Sequence, residues 1–188
     1  MSPGYLGGCE FTDSMESFAV TWLQPNVLAY GLQSRTGHHT TAHTVRLWDV
    51  RVGTGPSPAN SSNRIERWHR VTGLERSGPD DQHLLVTSNK DISLYDLRMQ
   101  SPDGPPLLTI AHTSVGAQLN FAVHGDLIAA TDELFKVQVY SLRTSRHLRT
   151  LGTHTFSTPP SQLRWQENKR GSPYLQACQN NAVHKWAY

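Results

Sequence analysis

Apolar positions along this chain come in short runs of four to six residues, rich in β-branched and aromatic side chains. Gly, Pro, Asn and Asp bound these runs, and no stretch keeps the three-to-four-residue spacing of an amphipathic helix. Four of the runs end alike: 44–51 (TVRLWDVR), 91–98 (DISLYDLR), 136–143 (KVQVYSLR) and 182–188 (AVHKWAY). Their aromatic residues, Trp48, Tyr95, Tyr140 and Trp186, stand 47, 45 and 46 positions apart. The chain is therefore an internal repeat, and each unit has to be read against the others.

Ahead of each aromatic-bearing run lie two more predicted strands: 18–23 and 27–30, 70–74 and 83–87, 117–121 and 126–130, 161–165 and 174–178. A further strand follows the first three units, at 65–67, 107–110 and 147–151. The second strand of each unit is almost continuously apolar or small, as a strand buried on both faces must be. Four short strands in a period of about 40–45 residues are the pattern of WD-type propeller blades. The predicted fold class is all-β, a WD-repeat β-propeller with about four blades, at 17–67, 68–111, 112–152 and 153–188. Residues 1–16 read as irregular, as a strand of a preceding blade or as a closing strand, and 53–63 as a flexible Pro/Gly/Ser loop. Seven blades is the usual number for such repeats. The reading therefore favours the C-terminal portion of a larger, seven-bladed propeller over a complete four-bladed ring.

Composition narrows the function classes. A net charge of +2 with scattered basic residues gives no basis for direct nucleic-acid or membrane binding. No run approaches the roughly 20 apolar residues of a spanning helix, and the N-terminus lacks the pattern of a signal peptide. The two cysteines, Cys9 and Cys178, lie far apart, which suits reduced thiols in an intracellular protein, nuclear or cytoplasmic or both. Among the 10 histidines, His38, His39 and His43 crowd a polar hairpin loop at 34–43 without Cys or carboxylate, so no metal site is expected. No phosphate loop, nucleophile elbow, dinucleotide fingerprint or carboxylate pair is present, so the expectation is no enzyme and no cofactor. Oligomeric state is left open.

The recurring residues have expected places. Trp48, Tyr95, Tyr140 and Trp186 are structural, packing between blades, while His112 and His154, before the third and fourth units, are expected to bond a Ser or Thr of a second strand. Arg51, Arg98 and Arg143 each follow an aromatic by three residues, at the end of the third strand, which should bring them out on one rim. Two of them close a Trp/Tyr-Asp-x-Arg motif with Asp49 and Asp96; the third has Ser141 in place of Asp. Two readings stay open: a rim arginine paired with its neighbouring Asp, or a planar five-donor anchor for a protein partner.

Those motifs, with similarity over about residues 65–188, resemble the WD-repeat substrate receptors of the cullin-4 RING ubiquitin ligase, the C-terminal part of the cullin-4-associated factors in particular. The stretches that carry the resemblance are 71–98, 121–151 and 160–188. It departs from the pattern at Tyr95, which replaces Trp, at Met99, where a basic residue is common, and at Ser141. The resemblance implies adaptor binding through Arg51, Arg98, Asp49 and Asp96, with a protein substrate held on another surface. The alternative is a generic WD-repeat scaffold in another assembly, such as RNA processing, trafficking or chromatin.

Overall fold

The computed structural model describes residues 16–36, 40–52, 64–67, 69–77, 82–98, 104–114, 120–152, 158, 160–179 and 182–188. They form fifteen strands in four antiparallel sheets. Sheet 1 holds β1 (Glu16–Gln24), β2 (Val27–Thr36), β3 (Thr40–Asp49) and β4 (Arg64–Arg67). Sheet 2 holds β5 (Val71–Ser77), β6 (His83–Ser88), β7 (Asp91–Asp96) and β8 (Leu108–Ala111). Sheet 3 holds β9 (Phe121–His124), β10 (Leu127–Thr131), β11 (Val137–Ser141) and β12 (His147–Leu151). Sheet 4 has three strands: β13 (Gln162–Glu167), β14 (Pro173–Gln179) and β15 (Ala182–Ala187). Within every sheet, strands adjacent in the chain are adjacent in space. One 3-10 turn, Val50–Val52, is the sole helical element among the described residues.

The repeat read from the sequence is a repeat of register. Trp48 faces Leu28 across the ladder, Tyr95 faces Leu84, Tyr140 faces Ile128 and Trp186 faces Leu175. Two residues on, a backbone N–H returns to the start of the second strand each time: Val50 to Asn26 at 2.9 Å, Leu97 to Gln82 at 2.8 Å, Leu142 to Asp126 at 2.7 Å and Tyr188 to Pro173 at 3.2 Å. The four aromatics thus take the same place in four ladders.

Strand alternation then divides each sheet into two faces. One core lies between sheets 1 and 2, where Leu23, Ala29, Val45 and Ile65 meet Val71, Leu74, Leu84, Val86 and Tyr95. The next joins Leu85, Ile92 and Ile110 to Ile128, Ala130 and Tyr140. The third joins Ala129, Val137, Val139 and Leu151 to Leu163, Trp165, Leu175 and Ala177. Each interior sheet is therefore apolar on both faces, the aromatic turned to the preceding sheet. No such core joins sheet 4 to sheet 1 among the described residues. The sheets approach closely where glycine stands: a Cβ on Gly31 would sit 2.7 Å from Val71, and one on Gly73 would sit 2.3 Å from Phe121. Single hydrogen bonds add stitches, Arg76 Nη1–H to the Leu23 carbonyl (2.8 Å) and Trp165 Nε1–H to the Ala122 carbonyl (3.1 Å).

Of the strand read at 117–121, residues 117–119 lie outside the described residues; β9 runs from Phe121 to His124, where pairing Phe121 with Ala130 sends Phe121 and Val123 to one core and Ala122 to the other. One local expectation needs correction. The polar stretch at 34–43 is largely paired strand: Ser34 faces Ala42 and Thr36 faces Thr40. Antiparallel ladders satisfy their backbone groups whatever the side chains. The segment 1–15 and the loop 53–63 lie outside the described residues.

Candidate interaction rim

Where β3 ends, Asp49 is the last paired residue and the backbone turns into the 3-10 segment. The Asp49 carboxylate accepts the Arg51 backbone N–H at 3.0 Å, the Nε–H at 2.9 Å and the Nη2–H from the same side chain. β7 ends the same way: Asp96 accepts from Arg98 N (2.9 Å), Nε (3.0 Å) and Nη2 (2.7 Å). Each carboxylate thereby closes a turn and clamps a guanidinium along its Nε/Nη2 edge. The arginine hydrogen bonds hold both carboxyls down at about 2, so both forks stay ionised at any ordinary pH. The arginine side chains are 68% and 61% exposed. Exposed ion pairs contribute little to stability, because water screens them and two long side chains lose freedom. The forks set a direction for two cations rather than hold the fold.

Equivalent exits elsewhere lack the fork. In sheet 3 the Ser141 hydroxyl accepts the Thr144 backbone N–H (3.2 Å), and Arg143 is exposed. In sheet 4 the corresponding residue is Ala187, which has nothing to accept with. The geometry brings Arg51 to Asp49 and Arg98 to Asp96, the pairing that one of the two sequence readings describes.

The structural residues sit deeper. Tyr95 and Tyr140 are buried, and Trp48 and Trp186 are half-buried. His112 is buried and bonds a Thr of the second strand, as expected, through that residue's backbone: Nε2 meets the Thr131 carbonyl at 3.1 Å, while Nδ1 meets the Tyr140 hydroxyl at 3.0 Å. A carbonyl can only accept, so Nε2 carries the proton and Nδ1 accepts from the phenol. Burial lowers the His112 pKa, against the weaker pull of the Thr131 carbonyl and Asp132, which favours the neutral ring. Burial also pushes the Tyr140 phenol up to about 12. His154 lies outside the described residues.

The sequence reading missed Arg67. At the end of β4, its side chain only 6% exposed, Arg67 donates Nη1–H to the Tyr95 hydroxyl at 2.7 Å and Nη2–H to Asp91. It is to Tyr95 what His112 is to Tyr140, and both stand 28 positions before their tyrosine. That equal offset was the available signal; Arg does not resemble His in a motif search, yet both offer an N–H or lone pair to a phenol. His38 and His39 lie outside the described residues, and no group of three His, Cys, Asp or Glu side chains placed to hold a metal ion occurs among the described ones.

Comparison with known proteins adds the fold. No protein-family model and no curated protein sequence matches this chain. Among solved structures, the computationally designed Ika4 protein is similar with a TM-score of 0.62 and 13% identity, over 99% of both chains. Raptor of Chaetomium thermophilum is similar with a TM-score of 0.65 and 18% identity, covering 91% of this chain, which spans 15% of the Raptor chain. At these identities the likeness speaks for fold alone. Four repeated antiparallel sheets, together with the Raptor likeness, support a WD40-type β-propeller fold for this chain.

Proposed function

We propose that this chain is a non-enzymatic protein-interaction scaffold, working inside the cell as a substrate-receptor subunit of a cullin-4 RING ubiquitin ligase. The observation that carries the reading is the pair of Asp–Arg forks at equivalent strand exits of two neighbouring sheets, both guanidiniums exposed. A clamped, planar guanidinium loses little freedom when a partner's carboxylate or carbonyl arrives, which favours binding. The adaptor is held at this rim and a protein substrate on another surface, and the scaffold acts by raising the local concentration of a substrate lysine near a recruited conjugating enzyme. In this reading the four sheets are part of a larger, seven-bladed propeller. The chemistry of the two outermost faces supports that: Val20 and Trp22 are exposed on sheet 1, whereas Arg164 and Lys185 are exposed on sheet 4. An apolar face gains nothing from packing on a charged one.

A second reading, a generic WD-repeat scaffold in another assembly, has its own observation: each rim arginine already has its own Asp. Co-purification with the ligase's damaged-DNA-binding adaptor separates the two. The ligase reading expects adaptor capture by the wild type and at least about tenfold less by the Arg51→Ala/Arg98→Ala double variant, as for truncated hot-spot arginines. Equal recovery from both removes the forks from the account, and no capture at all leaves the generic scaffold.

A further inference from the structure

The whole-chain charge of +2 conceals an uneven distribution. Residues 142–188 hold seven Lys and Arg against one Glu, whereas residues 1–141 hold ten against fourteen Asp and Glu. Along the chain those seven are scattered, but the fold brings four of them to one end. β9 and β13 lie side by side and run the same way. Asn120 Nδ2–H reaches the Pro160 carbonyl near their starts, and the His124 ring stacks on Trp165 at 5.8 Å near their finishes. The turns that follow these two strands therefore share one end. The β11–β12 turn joins them there, because the Leu142 N–H bonds to the Asp126 carbonyl of the β9–β10 turn at 2.7 Å.

Both cation-bearing turns are fixed by their own hydrogen bonds. In the β11–β12 turn the Ser141 N–H donates to the Arg146 carbonyl at 2.9 Å and the Thr144 N–H to the Ser141 hydroxyl at 3.2 Å, with Ser145 at a φ of 57°. In the β13–β14 turn the Asn168 side chain accepts the Arg170 and Ser172 N–H groups at 2.8 and 3.0 Å, with Gly171 at a φ of 77°. The first turn presents Arg143 and Arg146, the second Lys169 and Arg170, and Arg149 follows on β12; all five are exposed. None of the five forms an ion pair with a described residue. Arg51 and Arg98 each have an Asp two positions earlier, whereas Arg143 has Ser141 there. Asp126 and Glu167 are exposed at the same end without pairing to any of the five, so cations outnumber carboxylates five to two.

We propose that this end of sheets 3 and 4 binds duplex DNA through its phosphate backbone, without reading the bases. Four of the five cations are Arg, whose planar fork matches a phosphate. A partner protein needs an apolar centre to pack on, and neither turn carries an exposed apolar side chain. The same lack leaves nothing to insert into a lipid surface. Single strands and RNA loops are held largely by stacking their bases on aromatic rings. The nearest rings here, His124, Trp165 and Tyr188, pack on one another. A duplex fits better, with its phosphates outward and its bases hidden. Turns that are already ordered lose little freedom when it binds. The proposal does not rest on the ligase reading: adaptor capture is read at Arg51 and Arg98 and DNA binding at the turn cations, so either can fail alone.

The test titrates the full chain into a fluorescein-labelled DNA duplex of about 20 base pairs and reads anisotropy between about 50 and 200 mM salt. Saturable binding is expected, and four or five phosphate contacts should weaken it about 100- to 500-fold across that range. The double variants Arg143→Gln/Arg146→Gln and Lys169→Gln/Arg170→Gln should each lower the salt slope by about 2 and bind at least about fivefold more weakly. Lys90, exposed in the β6–β7 turn, meets the His112 N–H and so lies at the far end of β10. Lys90→Gln should change affinity by less than about twofold. No saturation at the lower salt, or a slope unchanged in both double variants, overturns the proposal. An equally tight single strand of the same length overturns it as well. So does polyglutamate that displaces the duplex as readily as unlabelled duplex does, by making an acidic protein segment the ligand. Tighter capture by phosphatidylserine vesicles also overturns it, by making the ligand a membrane.

Discussion

Sheets 3 and 4 share one ladder and part company on the face each turns away from the sheet before it. In sheet 3 that face carries Ala129, Val137 and Val139, all fully buried against Leu163, Trp165 and Leu175. The same three places in sheet 4 hold Gln176, Val183 and Lys185, with the last two exposed. On the other face the two sheets agree: Ile128, Ala130 and Tyr140 in one, Leu175, Ala177 and Trp186 in the other, each set packed on the preceding sheet. The lesson is that the backbone repeat specifies a sheet, and alternate side chains along two strands specify whether its second face is core or surface. At the opposite end, sheet 1 shows the reverse chemistry, with Val20 and Trp22 uncovered. The two outer faces are thus of different kinds.

Exchanging the differing residues should give the largest effect. Val139→Lys places a charge without a partner between sheets 3 and 4, and should cost about 4 kcal/mol or unfold the chain. Lys185→Val makes the mirror-image change on an exposed surface and should stay within about 0.5 kcal/mol. Urea unfolding followed by tryptophan fluorescence measures both, and comparable costs would dissolve the distinction between the two faces.

Next in size is the seam between the two sheets. Trp165→Phe keeps most of the apolar contact but leaves the Ala122 carbonyl without its 3.1 Å donor, for an expected loss of about 1–2 kcal/mol. A Trp165→Phe chain as stable as wild type would mean that water replaces the indole N–H, and that the seam is held by packing alone.

The smallest effect is a pH dependence set by two groups of opposite sign, His112 and Glu75. Because burial lowers the His112 pKa, its contribution is present above about pH 6.5 and is lost as pH falls through the folded-state value. Glu75 in β5 acts in the opposite sense. Burial raises its carboxyl to about 7, so its contribution is present below the ordinary value near 4.5 and is lost as pH rises through about 7. The two slopes oppose each other just below pH 6.5. Removing one with Glu75→Gln should make the melting temperature fall on going from pH 7.5 to 5.5, by about 2–4 °C for each kcal/mol lost. Adding His112→Asn should flatten the curve again; an unchanged slope in the double variant would assign the acid sensitivity to other groups.

Much of the fold was legible because it is written in alternation and spacing. The four aromatics, the second strands and the fourth strands at 65–67, 107–110 and 147–151 fall where a period-two pattern places them. The Asp–Arg pairs were legible because residues two apart at a strand exit meet locally. What the pattern obscured was non-local or backbone-driven. The faces of β9 follow from its register with β10, which local composition does not state. The paired stretch around Thr36 and Thr40 is polar, so a hydrophobic reading passes over it, although backbone hydrogen bonds alone extend a hairpin. Arg67 and Tyr95 are joined across two sheets.

By itself, then, the sequence determined the β class, the number of repeated units and the two clamped arginines, because each depends on neighbours within a strand or turn. Tertiary structure alone decided which of two equivalent faces is buried and which side chains cap the Tyr95 and Tyr140 hydroxyls. Those outcomes depend on what another sheet brings within about 4 Å, and no spacing along the chain encodes which sheet that will be.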